Sequence, residues 1–171
     1  NCTFRQNGAQ LAGGALIVAW YSYSVWVDTI FEYNIVENGE GGAINTQDNA
    51  DIVLTRSRVS TNTAAQGAGI YIGDTSMVTI TESVFTMNHA FTQGAAVEVS
   101  SDSFLTATDS EFSNNNAVKM GAGLFVQGTI NLDQILVTGN EAEVGAGLML
   151  LYSNAGNSAS LISRSMFSYV I

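Results

Sequence analysis

One phrase of sequence recurs at nearly constant spacing along the whole chain, and it limits the folds that the chain can adopt. An apolar residue is followed three positions later by Asn, which in most copies opens an Asn-x-Ala triplet. A Gly- and Ala-rich phrase ending in an aliphatic residue comes next, as in Gly-Ala-Gly-Leu at residues 121–124. Internal repeats of roughly 20–50 residues are typical of solenoids, propellers and arrays. The chain is therefore predicted to consist of stacked copies of one structural unit.

The length of the unit follows from the repeated positions. Successive apolar anchors are separated by 27, 28, 26, 27, 25 and 30 residues. These anchors are Phe4, Phe31, Val59, Phe85, Phe112, Val137 and Phe167. The Asn residues that follow the first six anchors are Asn7, Asn34, Asn62, Asn88, Asn115 and Asn140. The spacing predicts about six coils of about 27 residues.

Within each copy, apolar and polar residues alternate over short runs, which is typical of half-buried strands. Residues 69–72 and 78–81 show this alternation, and Gly, Asn, Asp and Ser interrupt such runs. These four residue types supply turns. Three short strands and three bends in one copy cannot bury an apolar face alone, whereas stacked copies can. We therefore predict an all-β fold, a parallel β-solenoid, that forms a single domain over residues 1–171.

Each class of repeated side chain has a predicted place in this solenoid. The anchors are expected to point inward and to stack as an apolar ladder. The Asn side chains are expected to form a buried column at a bend, because stacked amides can satisfy backbone groups that would otherwise be unpaired. A small Ser, Thr or Cys two positions before each anchor is expected to fill an inward corner. Cys2 is accordingly predicted to be buried, with a disulfide to a segment outside this sequence as the alternative.

The composition argues against several classes of function. The formal net charge is −10 and only 12% of the residues are charged, so nucleic acid and anionic membranes are poor partners. The sequence has no run of 18 apolar residues, so no membrane span is expected. Proline is absent, which suits strands that are paired on both sides. Asn1 begins the one N-x-S/T sequon, so a glycan at Asn1 is expected if the chain is secreted by a eukaryote.

The repeated phrases resemble those of the chlamydial polymorphic outer-membrane proteins and related right-handed β-helix regions. Residues 13–16 and 41–44 match the GGA[ILV] phrase, and Phe31/Asn34 and Phe85/Asn88 match the F-x-x-N phrase. The other copies replace GGA by GAG or GAA, and two anchors are Val instead of Phe, which keeps size and apolarity. The resemblance covers nearly the whole chain. It implies a right-handed, single-stranded parallel β-helix that is extracellular or displayed at a cell surface, with an adhesive or structural role.

The first coil carries the candidate ligand site. The bend after its Gly-rich phrase contains Trp20, Tyr21 and Tyr23, whereas the equivalent bends of later coils carry Gly, Asn or Asp. Exposed aromatic rings can stack on sugar rings or dock a partner protein. The alternative is that another part of the chain, or a neighbouring subunit, covers them.

Three carboxylates form the candidate metal site. Asp48, Asp74 and Asp102 occupy nearly the same bend in successive coils, and a column of carboxylates roughly 5 Å apart is a conceivable weak Ca²⁺ site. The alternative is that they are solvated turn residues, and no other cofactor or metal is expected. His89, which follows an Asn bend, is expected to be an exposed turn residue without a metal or catalytic role.

A second set of charged residues is assigned to structure. Asp28, Arg56 and Glu82 lie three positions before successive anchors and alternate in sign. They are expected to form a surface ion ladder that helps to fix the register of the coils.

The sequence is compatible with three functions. The first is a non-enzymatic structural or adhesive module of an extracellular rod or filament. The second is a carbohydrate-binding module that uses the first-coil aromatic residues. The third, less favoured, is a pectate-lyase-like enzyme, because such enzymes need convergent carboxylates on long loops and the loops here are short.

The expected partners are other β-helix coils. The chain is expected to be a segment of a longer β-helix, or to stack end to end with further copies of itself, because its two ends lie nearly in phase with the repeat. Glycans are partners under the second function.

Overall fold

A computed structural model describes residues 1–151 and 160–168 of the chain. Within these residues the chain forms 24 short strands and no helix. The first twelve are β1 (Cys2–Arg5), β2 (Gly8–Ala9), β3 (Leu16–Val18), β4 (Tyr23–Val27), β5 (Thr29–Glu32), β6 (Ile35–Val36), β7 (Ile44–Thr46), β8 (Asp51–Thr55), β9 (Arg58–Ser60), β10 (Thr63–Gln66), β11 (Ile70–Ile72) and β12 (Met77–Thr81). The others are β13 (Val84–Thr86), β14 (His89–Gln93), β15 (Val97–Val99), β16 (Phe104–Thr108), β17 (Glu111–Ser113), β18 (Asn116–Ala117), β19 (Leu124–Val126), β20 (Thr129–Asp133), β21 (Leu136–Thr138), β22 (Leu148–Leu150), β23 (Leu161–Ser163) and β24 (Met166–Ser168).

The strands assemble into four parallel sheets that run along the molecule. Sheet A has the order β1-β5-β9-β13-β17-β21-β24, and sheet B has the order β18-β14-β10-β6-β2. Sheet C has the order β22-β19-β15-β11-β7-β3, and sheet D has the order β23-β20-β16-β12-β8-β4. Successive coils visit sheets A, B, C and D in turn, except that no described strand of sheet B lies between β21 and β22. Each strand pairs with a counterpart one coil away. The fold prediction is confirmed: the molecule is a parallel β-solenoid of about six coils.

The number of strands in each coil differs from the prediction, because most coils have four strands and not three. The run upstream of each anchor is divided between sheets D and A by one residue with a left-handed backbone. This residue is Arg56 in the second coil, with φ of 45°, and Glu82 in the third, with φ of 49°. Arg and Glu seldom adopt positive φ, so nothing in their side chains signals the break.

The apolar anchors pair with one another in the predicted register. Phe31 pairs with Val59, and Phe85 pairs with Phe112, on neighbouring strands of sheet A. The rings of Phe85 and Phe112 are fully buried and stacked, with their centroids 5.1 Å apart. The anchors at the two ends are less enclosed, because Phe4 is half-buried and Phe167 is 40% exposed.

A column of Asn side chains follows the anchors at the bend between sheets A and B. The Nδ2 group of Asn62 donates to Oδ1 of Asn88 at 3.0 Å and to the carbonyl oxygen of Phe31 at 3.0 Å. The same pattern of bonds joins Asn34, Asn62, Asn88, Asn115 and Asn140 into one buried chain. Asn7, in the first coil, is exposed but still donates to Asn34. The column satisfies backbone groups at a bend that water does not reach.

The Asn-x-Ala triplets and the Gly-rich phrases pack against each other in a second, narrower core. This cluster lies beside sheet B and consists mainly of alanine, including Ala64, Ala90 and Ala117. The first Gly of each Gly-rich phrase has positive φ, for example 62° at Gly94. The methyl side chains and the left-handed Gly allow the bend to lie close to sheet B.

Hydroxyl side chains fill the corner between sheets D and A. The Oγ atom of Ser83 accepts the backbone N–H of Ser57 at 3.0 Å and donates to the carbonyl oxygen of Thr81 at 2.8 Å. Cys2 occupies the same column, because it pairs with Thr29. The prediction that Cys2 is buried is wrong: it is a free, exposed thiol. It lies on β1, an edge strand of sheet A that pairs with β5 alone among the described residues.

Candidate functional site

The aromatic residues of the first coil lie on the outside of the solenoid. Trp20 and Tyr21 form the bend between sheets C and D, and both have left-handed backbones with φ of 56° and 57°. The N–H of Tyr21 donates to the carbonyl oxygen of Asp48 at 2.9 Å, which fixes this bend to the next coil. Tyr23 begins β4 and points outward. Trp20, Tyr21 and Tyr23 are 80%, 82% and 68% exposed, so three neighbouring residues of the first coil present aromatic side chains to solvent.

The next coil provides an internal comparison for this surface. Tyr23 pairs with Asp51, and counting back from that pair places Asp48 beside Trp20 and Asn49 beside Tyr21. The equivalent side chains of the second coil are therefore polar. Similar backbone geometry thus carries aromatic residues in one coil and turn-forming polar residues in the next, so the turn itself does not require the aromatic residues. Exposed apolar clusters of this kind mark contact sites on soluble proteins.

The three aspartates proposed for Ca²⁺ do not form a straight column. Asp48 and Asp74 occupy equivalent positions, three residues before the paired residues Asp51 and Met77. Asp102 lies one position further along its bend, two residues before Phe104, which pairs with Met77. Asp48, Asp74 and Asp102 are exposed and have positive φ, so each has a role in a left-handed turn. Among residues 1–151 and 160–168, no three His, Cys, Asp or Glu side chains are grouped as metal ligands.

The predicted ion ladder forms only in part. Arg56 Nε lies 2.9 Å from Oδ1 of Asp28, and the guanidinium lowers the pKa of this exposed carboxyl. Glu82, the third member, makes no ion pair with Arg56 in the described chain. Arg164, further along, pairs with Asp133 of β20, at the end of the strand before the corner. The ladder is therefore a set of separate exposed pairs, which stabilise a protein little.

His89 differs from its prediction. It begins β14 rather than lying in an exposed turn, and it is half-buried. Its Nδ1 atom is 2.9 Å from Oδ1 of Asn116 on the next coil, and its ring makes an edge contact with Phe91. These contacts give His89 a place in coil stacking.

Asn1 lies at an open furrow on the corner between sheets D and A. Thr3, Asp28, Arg56 and Glu82 also line this furrow, which has a volume of about 760 Å³. Asn1 is exposed, so its side chain is accessible. Glycosylation of Asn1 remains a prediction.

The structure also contains a polar cluster that is not among the sites predicted from the sequence. The middle residue of each strand in sheet C points away from the core, and these residues form one column across the coils. From the second coil onward the column is Asn45, Tyr71, Glu98, Phe125 and Met149. Asn45 and Glu98 are 0% and 2% exposed, although they lie on the outer face of the sheet. The Gly-rich bend of their own coil folds over them.

This cover is tight at Glu98. A Cβ atom built on Gly94 would lie 2.6 Å from the Cβ atom of Glu98. Oε1 of Glu98 accepts a hydrogen bond from Nε2 of Gln93 at 2.8 Å. Oε2 of Glu98 and Oδ1 of Asn45 are buried without a hydrogen-bond partner in the described residues. Native proteins seldom leave such atoms unpaired, so this column is the most unusual polar feature of the described chain.

Burial also changes the acid–base properties of this column. Burial raises the pKa of Glu98 to about 8, against the opposing effect of the Gln93 bond, and Glu40 adds to the rise. Burial and then the charges of Glu40 and Glu98 raise the pKa of Tyr71 to about 12. The pKa of Glu40 itself is raised, first by burial and then by Asp74. The ionisable groups that act on this column are therefore acids, and each of them disfavours a negative charge on its neighbours.

A sequence signal for this cluster did exist. Glu98 stands four residues after the first Gly of its phrase, where the neighbouring coils have Tyr71 and Phe125. A carboxylate is unusual at a repeated position where the neighbouring coils carry aromatic residues. The alternation of the strand predicts an outward side chain at this position, but it does not predict that the Gly-rich bend covers that side chain.

The comparison with known proteins agrees with this architecture. A family model described as a right-handed β-helix region matches residues 1–161. No curated protein and no solved structure matches the chain. In the part of the chain that the structure describes, no helix is long and apolar enough to span a membrane.

Proposed function

The chain belongs to the right-handed β-helix family, and from this premise we propose that it is a non-enzymatic structural and adhesive module of an extracellular rod or filament. The observation that carries the proposal is the unbroken Asn column from Asn34 to Asn140, in which every side chain before Asn140 bonds both the coil before it and the coil after it. Because each coil offers the same bonding groups to the next coil, coils can be added in one direction, and this suits a protein that forms a long rod.

The repeats support a finer assignment. The GGA[ILV] and F-x-x-N phrases favour the group that includes the polymorphic outer-membrane proteins, and with it a position at the cell surface. An antibody against the purified chain tests this location. It should label intact source cells, and a second antibody against a cytoplasmic protein should not. Labelling only after the cells are permeabilised contradicts the proposed location.

The adhesive contact in this proposal lies on the first coil. Trp20, Tyr21 and Tyr23 support it because they are open to solvent while their counterparts in the next coil are polar. Beads coated with the protein should attach to an extracellular matrix surface, and replacing all three residues by Ala should reduce attachment at least about tenfold. Phe104→Ala is the matched control, because Phe104 lies in the same outward column as Tyr23 and is 41% exposed. Equal attachment of the triple variant and the control contradicts this site.

Carbohydrate binding is the second candidate function, and the same aromatic cluster favours it. Aromatic faces stack on the apolar faces of sugar rings. A glycan array and calorimetric titration of its strongest ligand distinguish this function from protein adhesion. Binding should be lost in Trp20→Ala and kept in Phe104→Ala. An array without a reproducible ligand rules out this candidate and leaves adhesion to proteins.

The partners of the rod in this proposal are further β-helix coils, from the same polypeptide or from another copy. An apolar recess of about 400 Å³ supports this, since Leu148, Ile162 and Phe167 line it at the last described coil. Sedimentation measurements should show a mass that increases with protein concentration, and Phe167→Asp should suppress the increase. A constant monomer mass excludes stacking between copies and leaves coils of the same polypeptide.

A further inference from the structure

The Gly94 bend encloses the carboxyl group of Glu98, and the described residues do not supply hydrogen-bond donors to both of its oxygen atoms. Glu98 is 2% exposed, and its Oε1 atom accepts a hydrogen bond from Gln93. The backbone N–H of Gly67 also lies close enough to lower the pKa of Glu98, but its effect is smaller than that of burial. The Oε2 atom of Glu98 is sealed from solvent and unpaired. A carboxylate needs several donors or a nearby cation to remain charged in such a place, and an isolated buried charge is very costly.

The neighbouring elements do not provide a counter-charge. On β11 the residue beside Glu98 is Tyr71, and on β19 it is Phe125. The acids that act on this column from the second and third coils are Glu40 and Asp74. Gln93 and Gly94, in the covering bend, are uncharged. Lys119, on the next coil, is exposed and is not among the groups that shift the pKa of Glu98.

A proton is the ligand that fits this site, because it needs no additional volume. A neutral carboxyl keeps the bond from Gln93 and has a much smaller desolvation cost than a carboxylate. The raised pKa of Glu98, about 8, agrees with this geometry. Burial and the acidic neighbours thus both favour the protonated form of Glu98 in the folded chain.

We propose that Glu98 is a proton-controlled latch: its neutral carboxyl allows the Gly94 bend to close on β15, and loss of the proton opens this bend to water. The Gly94 N–H donates to the carbonyl oxygen of Met120 at 3.2 Å and joins the bend to the next coil, so this is the bond whose breaking admits water to Glu98. Opening of a short segment relieves the buried charge without unfolding the solenoid.

The direction of the pH effect follows from the two states. The folded pKa of Glu98, about 8, lies above its ordinary value of 4.5. Between these values the folded chain holds a proton that the unfolded chain has released, so stability from this group falls as pH rises. The contribution is complete below the ordinary pKa and is lost as pH rises through the folded pKa. The bend is accordingly closed in acidic and neutral solution and opens in mildly alkaline solution.

Amide hydrogen exchange measured by NMR tests the latch. From about pH 6 to about pH 10, after correction for intrinsic exchange, protection of the Gly94 amide should fall at least about tenfold in the native sequence. The Gly121 bend is an internal control, because it has the same left-handed Gly and closes on Phe125 in place of Glu98. Its amide should keep constant protection over this range.

Two variants make the outcome decisive. Glu98→Gln keeps the shape and cannot ionise, and Glu98→Met places in this coil an apolar residue like those of the next two coils. Both should abolish the pH dependence at Gly94, whereas Glu37→Gln, at an exposed glutamate, should preserve it. An infrared band of a protonated carboxyl at neutral pH, absent from Glu98→Gln, should accompany the closed state. The proposal is overturned if Gly94 and Gly121 respond alike, if the Glu98 variants keep the native pH profile, or if the band is missing.

Discussion

The side-chain amide of Asn88 donates to Oδ1 of Asn115 on the next coil, at a distance of 3.0 Å. The same oxygen accepts the backbone N–H of Asn88 at 3.1 Å, and Nδ2 of Asn88 also donates to the carbonyl oxygen of Val59 on the previous coil at 3.0 Å. One side chain thus connects three coils. The bend at which it lies depends on these bonds, because all three residues are buried.

Replacing Asn88 by Ala should strongly destabilise the solenoid. The change leaves the N–H of Asn62 and the carbonyl oxygen of Val59 buried without the partner that they have now. Each unpaired group costs roughly 1–3 kcal/mol, so the free energy of unfolding should fall by about 3 kcal/mol or more. Urea unfolding followed by circular dichroism measures the change. Asn131→Ala, at an exposed position of β20, is the control and should alter stability by less than about 0.5 kcal/mol.

Truncation of a stacked anchor should lower the free energy of unfolding about as much as the replacement of Asn88. Phe112 is fully buried and stacks on Phe85, so Phe112→Ala removes a large apolar side chain and leaves a cavity. The expected loss is about 3–5 kcal/mol. Phe104→Ala, at an outward position that is 41% exposed, should cost far less in the same urea titration. Equal losses of unfolding free energy in the two variants would falsify the assignment of Phe112 to the apolar core.

Much of the fold could be predicted from the sequence because a solenoid places equivalent residues above one another. The anchors and the Asn residues recur at almost equal distances, so the pairing of Phe85 with Phe112 could be read directly. The number of strands could not be predicted from the sequence. The break between sheets D and A lies at residues with a left-handed backbone, such as Arg56 and Glu82, and these residue types have no turn propensity. Their conformation comes from the stacking of the coils.

The candidate sites, too, could be predicted from the sequence only in part. Trp20 and Tyr21 could be located at a variable bend from the repeat alone, and the structure gives them open surfaces. The sequence places Asp102 at nearly the same bend as Asp48, and the structure shows that it lies one position further along that bend. The burial of Glu98 depends on how closely the Gly94 bend covers sheet C. The repeat shows that a carboxylate stands among aromatic residues in this column, but it does not show that the Gly-rich bend of the same coil covers the side chain.

We expect no hydrolase or lyase activity on acidic polysaccharides. Incubation with pectin, alginate and chondroitin, with and without Ca²⁺, should release no new chain ends or unsaturated products. The physical reason is that Asp48, Asp74 and Asp102 are exposed turn residues, whereas such enzymes bring carboxylates together at one bond. Turnover that disappears in Asp48→Asn, Asp74→Asn or Asp102→Asn contradicts this expectation and assigns the bend a catalytic role.

Replacing Ser83 by Ala should destabilise the corner between sheets D and A. Oγ of Ser83 accepts the N–H of Ser57, which is buried, and donates to the carbonyl oxygen of Thr81. Alanine leaves that N–H without its acceptor, at a cost of about 1–3 kcal/mol in the free energy of unfolding. Ser83→Thr is the matched control, because Thr29 occupies this column in the second coil and makes the equivalent bond to a carbonyl oxygen at 3.1 Å. Urea titration should therefore show a loss in Ser83→Ala that Ser83→Thr largely restores, since a hydroxyl is what the corner requires. If the Thr variant is as unstable as the Ala variant, the size of the side chain, and not its hydrogen bonds, determines which residues this corner accepts.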